Sequence, residues 1–262
     1  MLTFTPHDDV TEVRADIMVG RRSIYHVSAF LFDGTLFDSG PPRTGRALAQ
    51  WAQTQTVRQI ANTHHHEDHI GGNPFLPLPA FAPAWTVAYL ANPPRIPLYR
   101  RLVWGQPRPG AATPLGETLS SAHHTLHVIP TPGQAHDHVA FWLPERGWLF
   151  SGDLFIATRA RYIRPEDDLP AWLASLRRVL AYDFDTLFCA HAGRVTNAHA
   201  AIRRKIAFWE ELGQQTRELA GQGYDEAAIS RQLLGRDNFL TWWSRGNFSK
   251  RNLIHALLAG QA

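Results

Sequence analysis

The chain has 262 residues, 44% of them hydrophobic and 19% charged, with 26 basic against 23 acidic side chains. At about 100–200 residues per domain this allows one large domain or one domain with an appendage, and the apolar fraction excludes wholesale disorder. No apolar run approaches the roughly 20 residues of a spanning helix, and a formal charge of +3 carries no strong nucleic-acid signal. The polar, acidic start, Met1 to Val10, does not read as a secretory signal. One cysteine, Cys189, excludes a disulfide framework and fits a reducing cytoplasm; it reads as a small buried core residue rather than a nucleophile. Only Lys205 and Lys250 among the basic residues are lysines, a bias that fits genome composition. The 14 histidines are the unusual count.

In chain order, Ser23 to Asp33 alternates and is rich in Ile, Val and Phe, which predicts a strand. Thr44 to Gln55 predicts a helix with Leu48, Trp51 and Ala52 on one face, and Val57 to Asn62 is a short apolar run leading into a histidine cluster. Pro74 to Pro114 is crowded with prolines and reads as irregular surface loops broken by short elements such as Trp85 to Leu90. Leu126 to Ile129, Val139 to Leu143, Trp148 to Ser151 and Thr186 to Ala190 are strand candidates separated by turn residues. Leu169 to Leu180 has helical spacing, and from about Thr196 the pattern is helix only: Asn197 to Ala220, Asp225 to Leu234 and Ser249 to Leu258. The expected organisation is a mixed α/β catalytic domain over residues 1–195 and a helical C-terminal extension over 196–262.

Thr63-His64-His65-His66-Glu67-Asp68-His69 places four imidazoles and a carboxylate in seven positions. In a loop after a strand, His64 and His66 point the same way while Asp68 and His69 turn toward a neighbouring point. Neutral imidazoles and carboxylates are preferred ligands of zinc and similar ions, so two adjacent sets suit two metals. The bland alternative, a solvated His-rich loop, fits poorly with flanking Ile60 and Ile70-Gly71-Gly72.

His64-x-His66-x-Asp68-His69 resembles the signature of the metallo-β-lactamase-fold hydrolases, and further motifs follow in the family's order. These are Asp38 in Leu36-Phe37-Asp38-Ser39-Gly40, Thr131-Pro132-Gly133, Asp153 in Ser151-Gly152-Asp153, and His191 after Leu187-Phe188-Cys189-Ala190. The resemblance runs from about Ser23 to Gly193. It implies an α/β fold, a four-layer αβ/βα sandwich with metals held by loops at one edge of two sheets. It also implies that His64 and His66 bind a first metal, Asp68, His69 and His191 a second, and that Asp153 bridges them. The implied cofactor is Zn2+, two per chain, with Mn2+ or Fe2+ as alternatives. A metal pair lowers the pKa of bound water from about 15.7 to about 7, and Asp68 would orient the attacking water or shuttle its proton. His65 and Glu67 alternate away from the ligands and are expected to be supporting residues.

The family's Thr-Pro-Gly-His is here Thr131-Pro132-Gly133-Gln134, followed by Ala135-His136-Asp137-His138. An amide oxygen is a weaker zinc ligand than an imidazole, so either His136 swings in as the third ligand or the first site is weakened. The former is the favoured expectation, with His138 a core or supporting histidine.

His123, His124 and His127 read as loop and strand-edge surface. Arg161, Tyr162 and Arg164 would either position an anionic substrate group or form an ordinary solvated loop. Trp85, Tyr89, Trp104 and Phe81 would line a cleft or anchor loops. The aromatics of the tail, Phe208, Trp209 and those of Asn238 to Ser249, suit packing, a pocket wall or a homodimer contact, and Ser249 suits a helix N-cap. A helical tail is similar to that of the β-lactamase-like 2 and glyoxalase II-like members, whereas the family's nucleases carry a longer added domain. The expected function is therefore a cytoplasmic metal-dependent hydrolase of a small-molecule ester, thioester or lactone, with nucleic acid disfavoured as a partner and no membrane partner. Phosphodiester or RNA cleavage and mononuclear iron-dependent oxidation of the sulfur dioxygenase type are the alternatives.

Overall fold

The computed structural model describes residues 1–19 and 22–260. Seven strands form one sheet in chain order: β1 (Leu2–His7), β2 (Val10–Val19), β3 (Arg22–Phe32), β4 (Thr35–Phe37), β5 (Gln59–Ala61), β6 (Ala80–Ala82) and β7 (Thr113–Pro114). The first four run antiparallel, and β4 to β7 run parallel. Parallel neighbours need crossovers, which here carry α1 (Gly45–Ala52), α2 (Glu67–Ile70), α3 (Ala84–Ala91) and α4 (Leu98–Val103). The second sheet holds β8 (Thr118–Ser120), β9 (Thr125–Pro130), β10 (Val139–Leu143), β11 (Trp148–Gly152), β12 (Thr186–Cys189) and β13 (Gly193–Val195). Within it β11 and β12 pair in parallel, joined across α5 (Leu169–Val179). The chain ends in α6 (Ala198–Gly221), α7 (Glu226–Leu234), α8 (Phe239–Trp243) and α9 (Lys250–Ala259).

Apolar alternation stacks these elements into four layers. Between the sheets, Phe30, Phe32 and Phe37 meet Phe141, Phe150 and Phe188, with Phe37 stacked on Phe150 at 4.0 Å. The outer face of the first sheet buries Val13, Ala29 and Ile60 against Leu48 of α1. The outer face of the second buries Ala140, Leu149 and Leu187 under Trp172 of α5, Trp209 of α6 and Leu253 of α9. The predicted αβ/βα sandwich with C-terminal helices is thus the observed architecture, and the tail helices share their core with the second sheet. Asp168, Asp225 and Ser249 cap α5, α7 and α9 through their side chains.

The ribbon of β1 and β2 and the short α8 lie outside the sequence expectation. β2 buries Glu12 and Asp16 on the face opposite Val13, Ala15 and Ile17, which hides the usual apolar-in, polar-out pattern. Ser28 satisfies Glu12 at 2.6 Å and Ser23 satisfies Asp16 at 2.8 Å, so neither carboxylate is left bare.

Candidate metal centre

The predicted ligands converge where the adjoining edges of the two sheets release their loops. Phe37 ends β4, and Asp38 turns the chain with φ of +60°, a left-handed conformation that Asp tolerates better than most residues. Its backbone N–H donates to Ala61 O at 2.9 Å, and its carboxylate accepts from Thr63 N at 2.8 Å and from Thr63 Oγ1 at 2.9 Å. The same carboxylate accepts from His69 Nδ1 at 2.7 Å. That bond places the proton on Nδ1 and leaves His69 Nε2 facing the cluster. Thr63 Oγ1 spends its proton on Asp38 and accepts from His64 Nδ1 at 2.9 Å, so His64 Nε2 is also a free lone pair. His191 donates Nδ1 to His26 O at 2.9 Å and presents Nε2 to the centre.

Asp153, at the exit of β11, stands between these rings. Its Oδ1 lies 3.1 Å from His191 Nε2 and 3.4 Å from His69 Nε2, and its Oδ2 lies 4.0 Å from His64 Nε2. The turn before it needs glycine. Gly152 has φ of +47°, and a Cβ there would sit 2.7 Å from Thr63 Oγ1 and 2.8 Å from His138 Nε2. His138 accepts from Asp153 N at 3.1 Å and donates Nδ1 to Thr131 Oγ1 at 2.8 Å. It is a buried support for the carboxylate, and burial pulls its pKa down to about 4.

Two triads of donor atoms result, His64–His66–Asp153 and Asp68–His69–His191. Burial, reinforced by neighbouring imidazoles and by Arg164 beside His66, holds His64 and His66 well below the usual histidine range, so both rings are neutral. Burial works the same way on His69 and His191, but Asp153 above all outweighs it and pushes both upward. A divalent cation at Nε2 would answer the same negative charge of Asp153. Among the described residues, His64 Nε2, His69 Nε2, Asp153 Oδ1 and Gln134 Oε1 are buried without a hydrogen-bond partner. Orphaned buried polar atoms are costly, and the first three of these, gathered around Asp153, are the signature of a metal-binding cage. The residues therefore fit the implied metal.

His136 is not brought to this centre. Gly133, whose Cβ would meet the backbone of Trp172 at 2.4 Å, presses the turn against α5, and that turn buries Gln134 instead. Gln134 Nε2 donates to Asp153 Oδ2 at 3.0 Å. His136, exposed, lies with His65 and Asp137. His65 donates Nδ1 to Asp137 Oδ1 at 2.7 Å, and Glu67 is forked by Arg100 at 2.6 and 2.7 Å.

Two further residues join the site, of which the sequence reading missed Tyr25. Tyr25 on β3 donates its hydroxyl to Asp68 Oδ2 at 2.6 Å and lies 3.2 Å from His191 Nε2. Burial and Asp68 push its pKa well above the usual value, so it remains a donor. Arg164, buried against Asp167, donates to His66 Nε2 at 2.9 Å and to Gln134 O at 3.1 Å. Sequence leaves it either beside the substrate or in a solvated loop; the structure buries it as a wall of the site. Tyr162 and Arg161 line a cavity of about 480 Å³ together with Arg164, Trp104 and Phe248. Trp85 is exposed against His136, Tyr89 packs on His65, and Phe81 joins the inter-sheet core. His123 and His124 both contact Asp33, at 2.7 and 3.1 Å, and fasten a loop far from the centre in sequence.

The family model of the metallo-beta-lactamase superfamily matches residues 25–191. A thioesterase of Emericella nidulans is 29% identical over 63% of this chain and 45% of its own length. A hydroxyacylglutathione hydrolase of Synechococcus is 33% identical over 58% of this chain and 57% of its own. The chain thus spans about half the length of the curated relatives it matches. Among solved structures, a beta-lactamase domain protein from Burkholderia ambifaria superposes with a TM-score of 0.73 at 18% identity, covering 98% of this chain and 88% of that one. A metallo-beta-lactamase family protein from Thermus thermophilus gives 0.68 at 21%, covering 96% and 91%. No described helix is long and apolar enough to cross a membrane. The ordered motifs, the two-sheet frame and the family match together establish that this chain belongs to the metallo-beta-lactamase superfamily.

Proposed function

We propose that the chain is a metal-dependent hydrolase acting on the carbonyl of a small-molecule thioester, ester or lactone. The observation that carries this reading is the convergence of three unpartnered buried atoms, His64 Nε2, His69 Nε2 and Asp153 Oδ1. In it, His64, His66 and, with its amide turned over, Gln134 would hold one metal, Asp68, His69 and His191 would hold the other, and Asp153 would serve both. Such a pair, with Zn2+ as the first candidate, would acidify a water and polarise the substrate carbonyl. Asp68, held by Tyr25, orients the attacking water and receives its proton. Tyr25, protonated throughout the working pH range, keeps the Asp68 carboxylate turned to the centre. Arg164 fixes His66 and Gln134, and the wall of Trp104 and Phe248 shields the reacting carbonyl from bulk water. The names of the relatives, a thioesterase and hydroxyacylglutathione hydrolases, favour thioesters within the carbonyl class.

Metal-reconstituted protein is to be assayed against acyl thioesters, including hydroxyacylglutathiones, with thiol release as the readout, and against lactones and an aryl phosphodiester. Thioester turnover that needs added Zn2+ and disappears in His69→Ala is the expected result. Turnover confined to the phosphodiester, or none with any metal, overturns the reading. A second reading draws on Gln134: with the first metal weakly held, His69, His191 and Asp153 are a two-histidine, one-carboxylate set of the kind that suits mononuclear iron. Iron at one per chain in the purified protein, with oxygen consumption, would favour it.

A further inference from the structure

A second cavity, about 420 Å³, opens beside the first and shares His66, Arg100 and Gln134 with it. On its wall stand His65 and His136, and Asp137 completes a triad whose donor atoms all lie within 4.8 Å of one another. We propose that His65, His136 and Asp137 form a further divalent-cation site, separate from the central one, at the wall of this second cavity. Two imidazoles and a carboxylate are a zinc-type donor set, and three protein ligands leave a coordination position free for water or an anionic group.

Each ligand is oriented by a separate contact. His65 is turned away from His64 by backbone alternation within the metal loop, and Tyr89 of α3 packs on its ring at 5.2 Å. Asp137 has its second oxygen fixed by Thr86 Oγ1 of α3 at 2.6 Å, so the carboxylate cannot rotate away. The His136 ring stands edge-on to Trp85 of the same helix at 4.8 Å and 5.3 Å from the His65 ring. A clamp between the metal loop and the Thr131–His138 loop would need only His65 and Asp137. The added, exposed imidazole of His136, placed by Trp85, gives the pair a third donor. Gln134 and His136 then divide the labour that one histidine would do: the first faces the centre and the second the neighbouring cavity.

The test is calorimetric titration of metal-stripped protein with ZnCl2, repeated with CoCl2 and read by visible absorption. Wild type is expected to take three equivalents and His136→Ala two, the third weakening at least tenfold. Because His136 is exposed, its replacement leaves the fold intact, which the melting temperature checks. His69→Ala should lose central binding yet keep the equivalent that His136→Ala removes. If the centre binds nothing but one equivalent is still lost in His136→Ala, this site stands while the proposed function falls. Equal stoichiometry and affinity in wild type and His136→Ala overturn the site.

Discussion

The two halves of the candidate centre rise from one seven-residue loop but meet opposite electrostatics. The half made by Asp68, His69 and His191 sits among Asp38, Asp68 and Asp153, with His69 and His191 locked through Nδ1 to Asp38 and to a backbone carbonyl. The half made by His64 and His66 has an amide, Gln134, where an imidazole would stand, and a guanidinium 2.9 Å from His66. A cation beside a metal site opposes binding there, while carboxylates favour it. The same ligand chemistry is therefore expected to yield one tight and one weak position. What sets metal affinity is the ring of residues behind the ligands as much as the ligands themselves.

The largest effect tests what the halves share. Asp153→Asn keeps the shape and removes the charge that serves both, so turnover should fall on the order of 10²–10³-fold, with metal lost from both positions. If one metal and substantial turnover remain, Asp153 belongs to one half only. Next, Asp38→Asn strikes the tight half directly, through His69, and reaches the weak half only through Thr63 and His64. Loss of the charged acceptor of His69 Nδ1 should weaken its metal by about 10–100-fold and the weak position by less; equal losses at both would erase the proposed asymmetry. Gln134→His works the other way and should tighten the weak position by roughly tenfold, making the two equivalents merge in a titration. Unchanged affinity there would show that Arg164, not the amide, sets the weakness.

A prediction of another kind concerns stability at the strand exit that carries Asp153, away from the metal positions. Lys205 is fully buried, donates Nζ to Phe155 O at 2.6 Å and lies 4.2 Å from the Trp209 ring and 4.7 Å from Trp172. Burial pulls its pKa down to about 7. The folded chain then binds fewer protons than the unfolded one between about pH 7 and the ordinary lysine value near 10.4, so stability rises with pH in that window. Relative to Lys205→Met, wild type should gain up to about 1.4 kcal/mol per pH unit as pH rises from about 7 toward 10. A constant difference would mean that the amine keeps its proton through the window, as the surrounding ring faces favour.

Much of the frame is legible along the chain. Val139 to Leu143 is a strand as its pattern predicts, and Leu169 to Leu180, Asn197 to Ala220 and Ser249 to Leu258 match α5, α6 and α9 within a residue or two. Those segments carry one clear apolar period and a cap or turn at their ends. β2 does not, because Glu12 and Asp16 are buried through partners on β3 and β1 that a single strand cannot reveal. Tyr25 is 43 residues from Asp68 and 166 from His191, and nothing local marks it as their neighbour. The two lysines read as a compositional accident, yet both are buried with Nζ on backbone carbonyls, Phe155 for Lys205 and Leu234 and Arg236 for Lys250.

Sequence alone determined the ligand chemistry of the loop, because His64, His66, Asp68 and His69 lie so close along the chain that a strand exit followed by one helical turn dictates their directions. Apolar period also determined the mixed α/β character and the helical tail, while the layer order came from the resemblance of the ordered motifs to the family. Only the tertiary structure decided between Gln134 and His136. Their side chains diverge by where a two-residue turn is pressed, and the pressure comes from Trp172, on a helix beyond two further strands, meeting a glycine that no other residue could replace. Close packing, not local preference, assigned the amide to the buried centre and the imidazole to the cavity beside it.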